Sequence, residues 1–296
     1  MTDSNSIIRV YYQIFIFKLY ASQLNPKTYS GGENLPTLKQ NLMAEFIGSL
    51  FLVIVAIGST ILPMTLSGAT MVLAVFINAV AVAMVLFALI ESLSSISGAH
   101  FNPAVTLALL FAKQITPKRA LYYIIAQITG GFIGLMVVGL TFYDYNSTIL
   151  GVSGNVKNYS QVFAEFIGTF ILIGVIIGCV RGGSKHTGLS VAFVVGGMLV
   201  ATSSNMYANP MISIARIFTY AICGITPVWA VLFIIAETIG ALSAAYVFGI
   251  MFPTKLKEKC DPFECPPQKP IMITKDAGPR TEKCYPFECP EDSSRK

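Results

Sequence analysis

Long apolar runs separated by short charged breaks fill most of the chain between residues 43 and 252. Each run has enough residues for a helix that crosses about 30 Å of hydrocarbon. Charged residues make up 12% of the 296 residues, about half the share found in soluble domains, so the chain cannot cover itself with a polar surface. The sequence therefore predicts an all-α integral membrane protein with six transmembrane helices, at 42–62, 70–90, 119–142, 161–180, 189–204 and 227–252.

Two further apolar segments, 103–112 and 210–220, are only about half as long as a membrane span. Each begins with a proline that directly follows an asparagine, which is Asn102 in the first segment and Asn209 in the second. Proline is favoured at the first position of a helix because its fixed φ suits the helix and its missing N–H would be unpaired there anyway. Both segments are therefore predicted to be re-entrant half-helices.

The chain also contains an internal repeat. The pentapeptide Ala-Glu-Phe-Ile-Gly occupies 44–48 and recurs at 164–168, and one Asn-Pro pair follows each copy. Each repeat holds three spans and one half-helix, and because three is an odd number the second repeat must enter the membrane upside down. This predicts a membrane domain at 42–252 with inverted repeats at 42–142 and 160–252, preceded by a segment at 1–41 and followed by a tail at 253–296.

Lysine and arginine residues near the span ends indicate the orientation. One set of loops is rich in them, whereas the opposite set offers Lys157. By the positive-inside rule, both termini are predicted to be cytoplasmic. The apolar stretch 7–21 contains basic residues and is predicted to be an interfacial helix, with a signal peptide as the alternative. The loops that are rich in basic residues contain Lys39, Lys113, Lys118, Arg119, Arg181, Lys185, Lys255, Lys257 and Lys259.

The half-helices carry the chemistry of the domain. Non-helical backbone at membrane depth persists only inside protein or along a water-filled path, so half-helices entering from opposite faces predict such a path. Their N-termini present unpaired N–H groups and a partial positive charge, and Asn102 and Asn209 each add an amide donor at the midplane. Neutral molecules gain hydrogen bonds there, whereas cations and protons meet a barrier.

The segment 97–106, Ser-Gly-Ala-His-Phe-Asn-Pro-Ala-Val-Thr, together with the second Asn-Pro pair and the repeated pentapeptide, resembles the aquaporin, or major intrinsic protein, family over residues 42–252. The resemblance implies a passive channel for water or small uncharged solutes such as glycerol, ammonia or hydrogen peroxide. Selectivity in such pores depends on bore diameter, lining donors and the positive ends of half-helices. A homotetramer in the cell membrane, with one pore in each protomer and no cofactor, is also implied.

In the family, four positions line a constriction beside the midplane, and an arginine usually follows the second Asn-Pro-Ala directly. Here Ile212 holds that place, and spacing from the two asparagines gives Val82, Gly197 and Met206 for the other three positions. None of these four residues carries a charged donor. Met211 stands where alanine is usual, and its flexible thioether is expected to alter the bore. The filter is therefore predicted to be atypical, and the conducted solute stays open.

Three ionisable residues of the membrane domain need partners. Arg216 lies four residues after Ile212 on the same helical face, about 6 Å further toward the external mouth. It either substitutes in part for the missing arginine or pairs at the mouth with loop carbonyls or headgroups. Glu45 and Glu165 are costly inside a membrane. They are expected to accept N–H bonds from the re-entrant loops and support them, the alternative being ion ligands or proton carriers.

The tail contains two Cys-x4-Cys pairs, Cys260 with Cys265 and Cys284 with Cys289. Four thiolates form a common zinc ligand set, whereas each pair can instead close as a small disulfide loop. A cytoplasmic location disfavours disulfides. A solvated tail with free thiols is the third interpretation.

Other classes of function fit the sequence less well. A proton- or ion-coupled carrier also uses inverted repeats but needs an ionisable coupling site in its pathway, and a non-conducting scaffold would recruit partners through the cysteine-rich tail. An enzyme is not expected, because the spans hold no nucleophile–base pair or metal-ligand cluster. The net charge of +5 comes from residues scattered at span ends, so the expected partners are the lipid bilayer and small neutral solutes, not nucleic acid.

Overall fold

A computed structural model describes residues 35–66, 68–145 and 147–252. Within these residues the regular structure is helical throughout. The predicted interfacial helix at 7–21 and the tail residues Cys260, Cys265, Cys284 and Cys289 lie outside the described part. The helices are α1 (Leu38–Leu66), α2 (Met71–Ser97), α3 (Pro103–Phe111), α4 (Pro117–Thr141), α5 (Tyr159–Arg181), α6 (Thr187–Ala201), α7 (Pro210–Ala215) and α8 (Pro227–Met251), and a 3₁₀ turn at Arg216–Phe218 follows α7.

Five of these helices are long and apolar enough to cross a membrane: α1, α2, α4, α5 and α8. Helix α6 is apolar but has 15 residues, which at 1.5 Å per residue gives about 22 Å. The non-helical segment 202–208 continues from it toward α7. The predicted all-α membrane fold, with two half-helices between the spans, is confirmed.

Glycines lie where helices pack closely against each other. The two repeats have such a glycine at equivalent positions. Helix α1 packs along α4, and α5 packs along α8. A Cβ added to Gly130 on α4 would lie well inside contact distance of the Phe46 carbonyl oxygen on α1. The counterpart on α8 is Gly240, whose added Cβ would lie 2.5 Å from the Phe166 carbonyl oxygen on α5. Small residues at such crossings allow the backbones of membrane helices to approach closely.

Apolar side chains cover the outside of the helix bundle. Val72, Met84, Leu121, Phe163 and Val231 are each more than half exposed. Monomeric soluble proteins rarely expose continuous apolar surface. Lipid tails solvate such a surface, because they are as apolar as the side chains themselves. The chain is therefore a multi-pass membrane protein.

The second half-helix is shorter than the sequence predicted. Segment 103–112 corresponds closely to α3, but α7 ends at Ala215, well before the end of the predicted segment 210–220. The reason lies in the chain that follows α7. The backbone N–H groups of Ser153 and Gly151 donate to the carbonyl oxygens of Ile217 and Phe218 at 2.8 and 3.1 Å. Those carbonyls are therefore bonded to a neighbouring loop and not to a continuing helix.

Candidate functional site

The two asparagines cap the two half-helices. The side-chain Oδ1 of Asn102 accepts the backbone N–H of Ala104 at 2.8 Å, and that of Asn209 accepts the N–H of Met211 at 3.1 Å. Capping satisfies one of the N–H groups that every helix start leaves without an intrahelical partner. Because each carbonyl oxygen is turned back onto its own helix, each amide nitrogen must point away from it.

The amide nitrogens join the two halves of the molecule. Nδ2 of Asn102 donates to the carbonyl oxygen of Ala208 at 2.8 Å, and Nδ2 of Asn209 donates to the carbonyl oxygen of Phe101 at 3.0 Å. The N-termini of α3 and α7 therefore meet. An asparagine amide has two N–H groups, so each residue has one N–H beyond this bond for a passing molecule. The two partial positive helix ends lie together at the same place.

Glu45 holds the first re-entrant loop from inside the protein. Its carboxylate accepts the Ser97 hydroxyl at 2.6 Å, the backbone N–H groups of His100 and Phe101 at 3.0 and 2.8 Å, and the Gln127 side-chain amide at 2.8 Å. Glu45 has no exposed surface. Its oxygens are therefore used by the loop and are not available to an ion in the pathway.

Glu165 holds the second loop in a similar way. It accepts the backbone N–H of Tyr207 at 2.9 Å and that of Ala208 at 2.7 Å, and it too is fully buried. A third buried carboxyl, Glu237 on α8, is hydrogen-bonded to the Ser213 hydroxyl at 2.7 Å. The sequence interpretation did not assign Glu237 to the site.

Both loops contain a strained residue directly before the asparagine. Phe101 and Ala208 have φ values of 49° and 44°. A residue other than glycine in this left-handed region costs about 1–3 kcal/mol and persists only when its surroundings hold it there. The N–H groups of these same two residues are the ones bonded to Glu45 and Glu165. Each carboxylate therefore stabilises the conformation that presents the adjacent asparagine.

Three of the four predicted constriction residues are buried in apolar surroundings. Val82, Met206 and Ile212 are buried members of one large apolar cluster. They come from α2, from the segment before α7 and from α7. The cluster therefore contains residues from both repeats.

The fourth predicted residue, Gly197, lies on α6. It is exposed, and a Cβ added to it would meet no atom within 4 Å. Its neighbours Val194, Val195 and Met198 pack against the apolar cluster. Gly197 stays a prediction for the constriction.

Met211, whose thioether was expected to alter the bore, packs against α4. Its sulfur lies in the space that a Cβ on Gly131 would occupy, with Val53 adjacent, and it is almost fully buried. The larger side chain at this alanine position is thus accommodated by a glycine on α4. Met211 fills space between helices.

Arg216 is buried within the protein. Its exposure is 3%. Nη2 donates to the carbonyl oxygen of Ala56 at 3.2 Å, and the guanidinium lies 4.0 Å from the centroid of the Tyr207 ring. The Tyr207 hydroxyl in turn donates to the Cys223 carbonyl oxygen at 2.7 Å. Arg216 therefore ties the second loop to α1.

A second cation lies near the same ring. The Lys157 ammonium is 5.8 Å from the Tyr207 centroid. Burial, and secondly the charge of Arg216, lower the pKa of Lys157 below its ordinary value. Arg216 and Lys157 thus both lie near the Tyr207 ring of the second loop.

Two inverted repeats, half-helices that meet at their N-termini and buried carboxylates that hold the connecting loops together define a membrane channel. The family model described as "Major intrinsic protein" matches residues 34–207, which is more than half of the chain. The chain belongs to the major intrinsic protein family. It is a passive channel for water and small uncharged solutes.

Individual relatives agree with this assignment. The chain is 32% identical over 208 residues to aquaglyceroporin AqpS of Rhizobium meliloti, covering 70% of this chain and 88% of that protein. It is 26% identical over 227 residues to nodulin-26 of Glycine max, covering 72% and 78%. The X-ray structure of the aquaglyceroporin from Plasmodium falciparum matches the fold with a TM-score of 0.59 at 22% identity, covering 73% of this chain and 98% of that chain.

Proposed function

We propose that this channel passes water together with uncharged solutes of the size of glycerol, and excludes protons and ions. The observation that carries the proposal is the apolar cluster that contains Val82, Met206 and Ile212, in which Ile212 stands where the family usually has arginine. Val82, Gly197, Met206 and Ile212 then line the constriction. The open space at Gly197 leaves room for a solute on that side.

The chemistry of this region suits a small polyol. The free N–H groups of Asn102 and Asn209 donate to hydroxyl groups, while carbon atoms of the solute contact the apolar wall. A guanidinium at position 212 would add a strongly hydrated donor to a narrow passage. The similarity to a protein named as an aquaglyceroporin supports the same class of solute.

The alternative classes receive less support from the geometry. A carrier needs an ionisable group in its pathway, but Glu45 and Glu165 are fully buried and bonded to loop N–H groups. A non-conducting scaffold leaves the paired half-helices without a role. Among the described residues there is no cluster of three or more histidine, cysteine or acidic side chains that holds a metal.

Stopped-flow light scattering on proteoliposomes tests the proposal directly. Purified protein is reconstituted, and water, glycerol, ammonia and hydrogen peroxide permeabilities are compared with those of empty liposomes. We expect water and glycerol to pass faster than through empty liposomes, with no proton flux under an imposed pH gradient. Proton-coupled uptake would instead favour the carrier, and no accelerated solute at all would contradict the channel.

Replacing Ile212 by arginine should reduce glycerol permeability more than water permeability. The longer charged side chain narrows the passage and holds solvent, which excludes a three-carbon solute before it excludes water. The measurement is the ratio of the two permeabilities in the same proteoliposomes. Ile212→Val is the matched control and should leave the ratio unchanged. Equal reductions in both permeabilities would remove Ile212 from the constriction.

Replacing Arg216 by methionine should lower the thermal stability and raise the proton leak, with little change in the ratio of glycerol to water permeability. The variant loses the bond to the Ala56 carbonyl and the contact with the Tyr207 ring, a cation–π contact worth about 2 kcal/mol when desolvated. Arg216→Lys is the control, because it keeps the charge. A permeability ratio that changes as much as in Ile212→Arg would instead make Arg216 a filter donor.

The same proposal extends to assembly and placement. We propose a homotetramer in the cell membrane with one pore in each protomer and both termini in the cytoplasm. The excess of lysine and arginine in one set of loops supports the orientation. The channel domain is assigned to 42–252, with 1–41 and 253–296 as flanking segments.

A further inference from the structure

Glu237 on α8 is a fully buried carboxyl group that the pore does not use. It has no exposed surface. One oxygen, Oε1, is hydrogen-bonded to the Ser213 hydroxyl on α7 at 2.7 Å. The other oxygen, Oε2, has no hydrogen-bond partner among the described residues. An ionised carboxylate has about four acceptor sites to satisfy, so this environment suits a charged group poorly.

The first repeat has glutamine at the corresponding place. Gln127 on α4 and Glu237 on α8 follow an alanine and precede a glycine three residues later in each repeat. Nε2 of Gln127 donates to the Thr106 hydroxyl on α3 at 3.0 Å, and its Oε1 has no hydrogen-bond partner among the described residues. In both side chains, therefore, one terminal atom is hydrogen-bonded to a hydroxyl group on a half-helix. The other terminal oxygen has no hydrogen-bond partner among the described residues. The two sites differ in that Nε2 of Gln127 also donates to the Glu45 carboxylate at 2.8 Å.

The neighbouring carboxylate strengthens this conclusion. Glu165 lies close enough to Glu237 for the two groups to interact electrostatically. Glu165 accepts the backbone N–H groups of Tyr207 and Ala208, whereas Glu237 has a single hydrogen bond among the described residues, with the Ser213 hydroxyl. Two adjacent buried carboxyls do not both ionise easily, and the charge stays on the one with more hydrogen-bond donors. Glu165 is that group.

We propose that Glu237 is a neutral carboxylic acid that positions the second re-entrant loop. Its proton is on Oε1 and is donated to the Ser213 hydroxyl, as Nε2 of Gln127 donates to Thr106. A hydrogen atom on either oxygen is compatible with the heavy-atom distance of 2.7 Å. The bare Oε2 is then the carbonyl oxygen of a neutral acid, like the bare amide oxygen of Gln127. The assignment does not depend on which solute the channel passes.

Infrared difference spectroscopy on the full-length protein in proteoliposomes tests the protonation state. The spectrum at neutral pH should contain a protonated carboxyl C=O band that is lost in Glu237→Gln. The control is Glu91→Gln, which removes an exposed acid and should leave the band in place. A wild-type spectrum without the band, or a band that persists in Glu237→Gln, would overturn the proposal.

Permeability tests the positioning role. Glu237→Gln should keep the yield, thermal stability and water permeability of the wild type, because the amide supplies the same donor. Glu237→Leu, which has similar size but no donor, should lose stability and permeability. The role is rejected if Glu237→Gln is as damaged as Glu237→Leu, or if Glu237→Leu behaves as wild type.

Discussion

Replacing Glu45 by alanine is expected to abolish the folded channel. Four donors lose their acceptor: the Ser97 hydroxyl, the N–H groups of His100 and Phe101, and the Gln127 amide. Each buried donor left unpaired costs about 1–3 kcal/mol, so the loss is about 4–12 kcal/mol. That is comparable to the whole stability of an ordinary domain, about 5–15 kcal/mol. Size-exclusion profiles and thermal unfolding in detergent measure the effect.

A graded series makes this prediction specific. Glu45→Gln keeps one acceptor oxygen and should be impaired less than Glu45→Ala, with the folded fraction retaining the wild-type ratio of glycerol to water permeability. Glu91→Ala removes an exposed acid and should behave as wild type. A well-folded Glu45→Ala protein with altered ion permeability would contradict loop support and would favour a role for the carboxylate in transport.

The second large effect is expected from Gly130. Any side chain at this position pushes against the Phe46 carbonyl oxygen, which is backbone and cannot rotate away. Gly130→Leu should therefore separate α4 from α1 and prevent folding, and Gly130→Ala should lower the unfolding temperature. Overpacking of close-packed cores typically costs about 1–3 kcal/mol even when side chains can adjust, so the cost against fixed backbone should be larger.

Gly154 provides a matched control for Gly130. A Cβ added to Gly154 meets nothing within 4 Å, so Gly154→Ala should leave the unfolding temperature unchanged. Gly240→Leu should repeat the defect of Gly130→Leu, because Gly240 makes the same contact with Phe166 in the second repeat. Normal folding of Gly130→Leu would show that α1 and α4 do not approach each other as closely as described.

The architecture could be predicted from sequence because it depends on properties that are local in the chain. Run length and apolar content define the spans, and a proline after Asn102 and after Asn209 marks where each half-helix begins. The repeated pentapeptide then relates one half to the other. These features need no knowledge of which side chains touch.

The details of the constriction depend on packing between distant segments, and there the sequence was insufficient. Met211 was expected to alter the bore, because its contact partner Gly131 belongs to another helix and gives no signal at position 211. The burial of Arg216 against Tyr207 likewise required coordinates.

Glu237 illustrates a signal that was present and not used. The sequence shows Ala-Gln in the first repeat and Ala-Glu in the second, three residues before the glycines at 130 and 240. Comparing the two halves position by position would have marked Glu237 as a buried acid in the place of an amide. What sequence could not supply was its contact with Ser213.

The bonds between each asparagine and the opposite loop bear on how the protein is made. The acceptor for Asn102 is the carbonyl oxygen of Ala208, 106 residues later in the chain. When only the first repeat has been synthesised, the Asn102 side-chain amide therefore lacks the carbonyl oxygen to which it donates in the complete protein. Formation of the pore centre is a late event that requires both halves of the polypeptide.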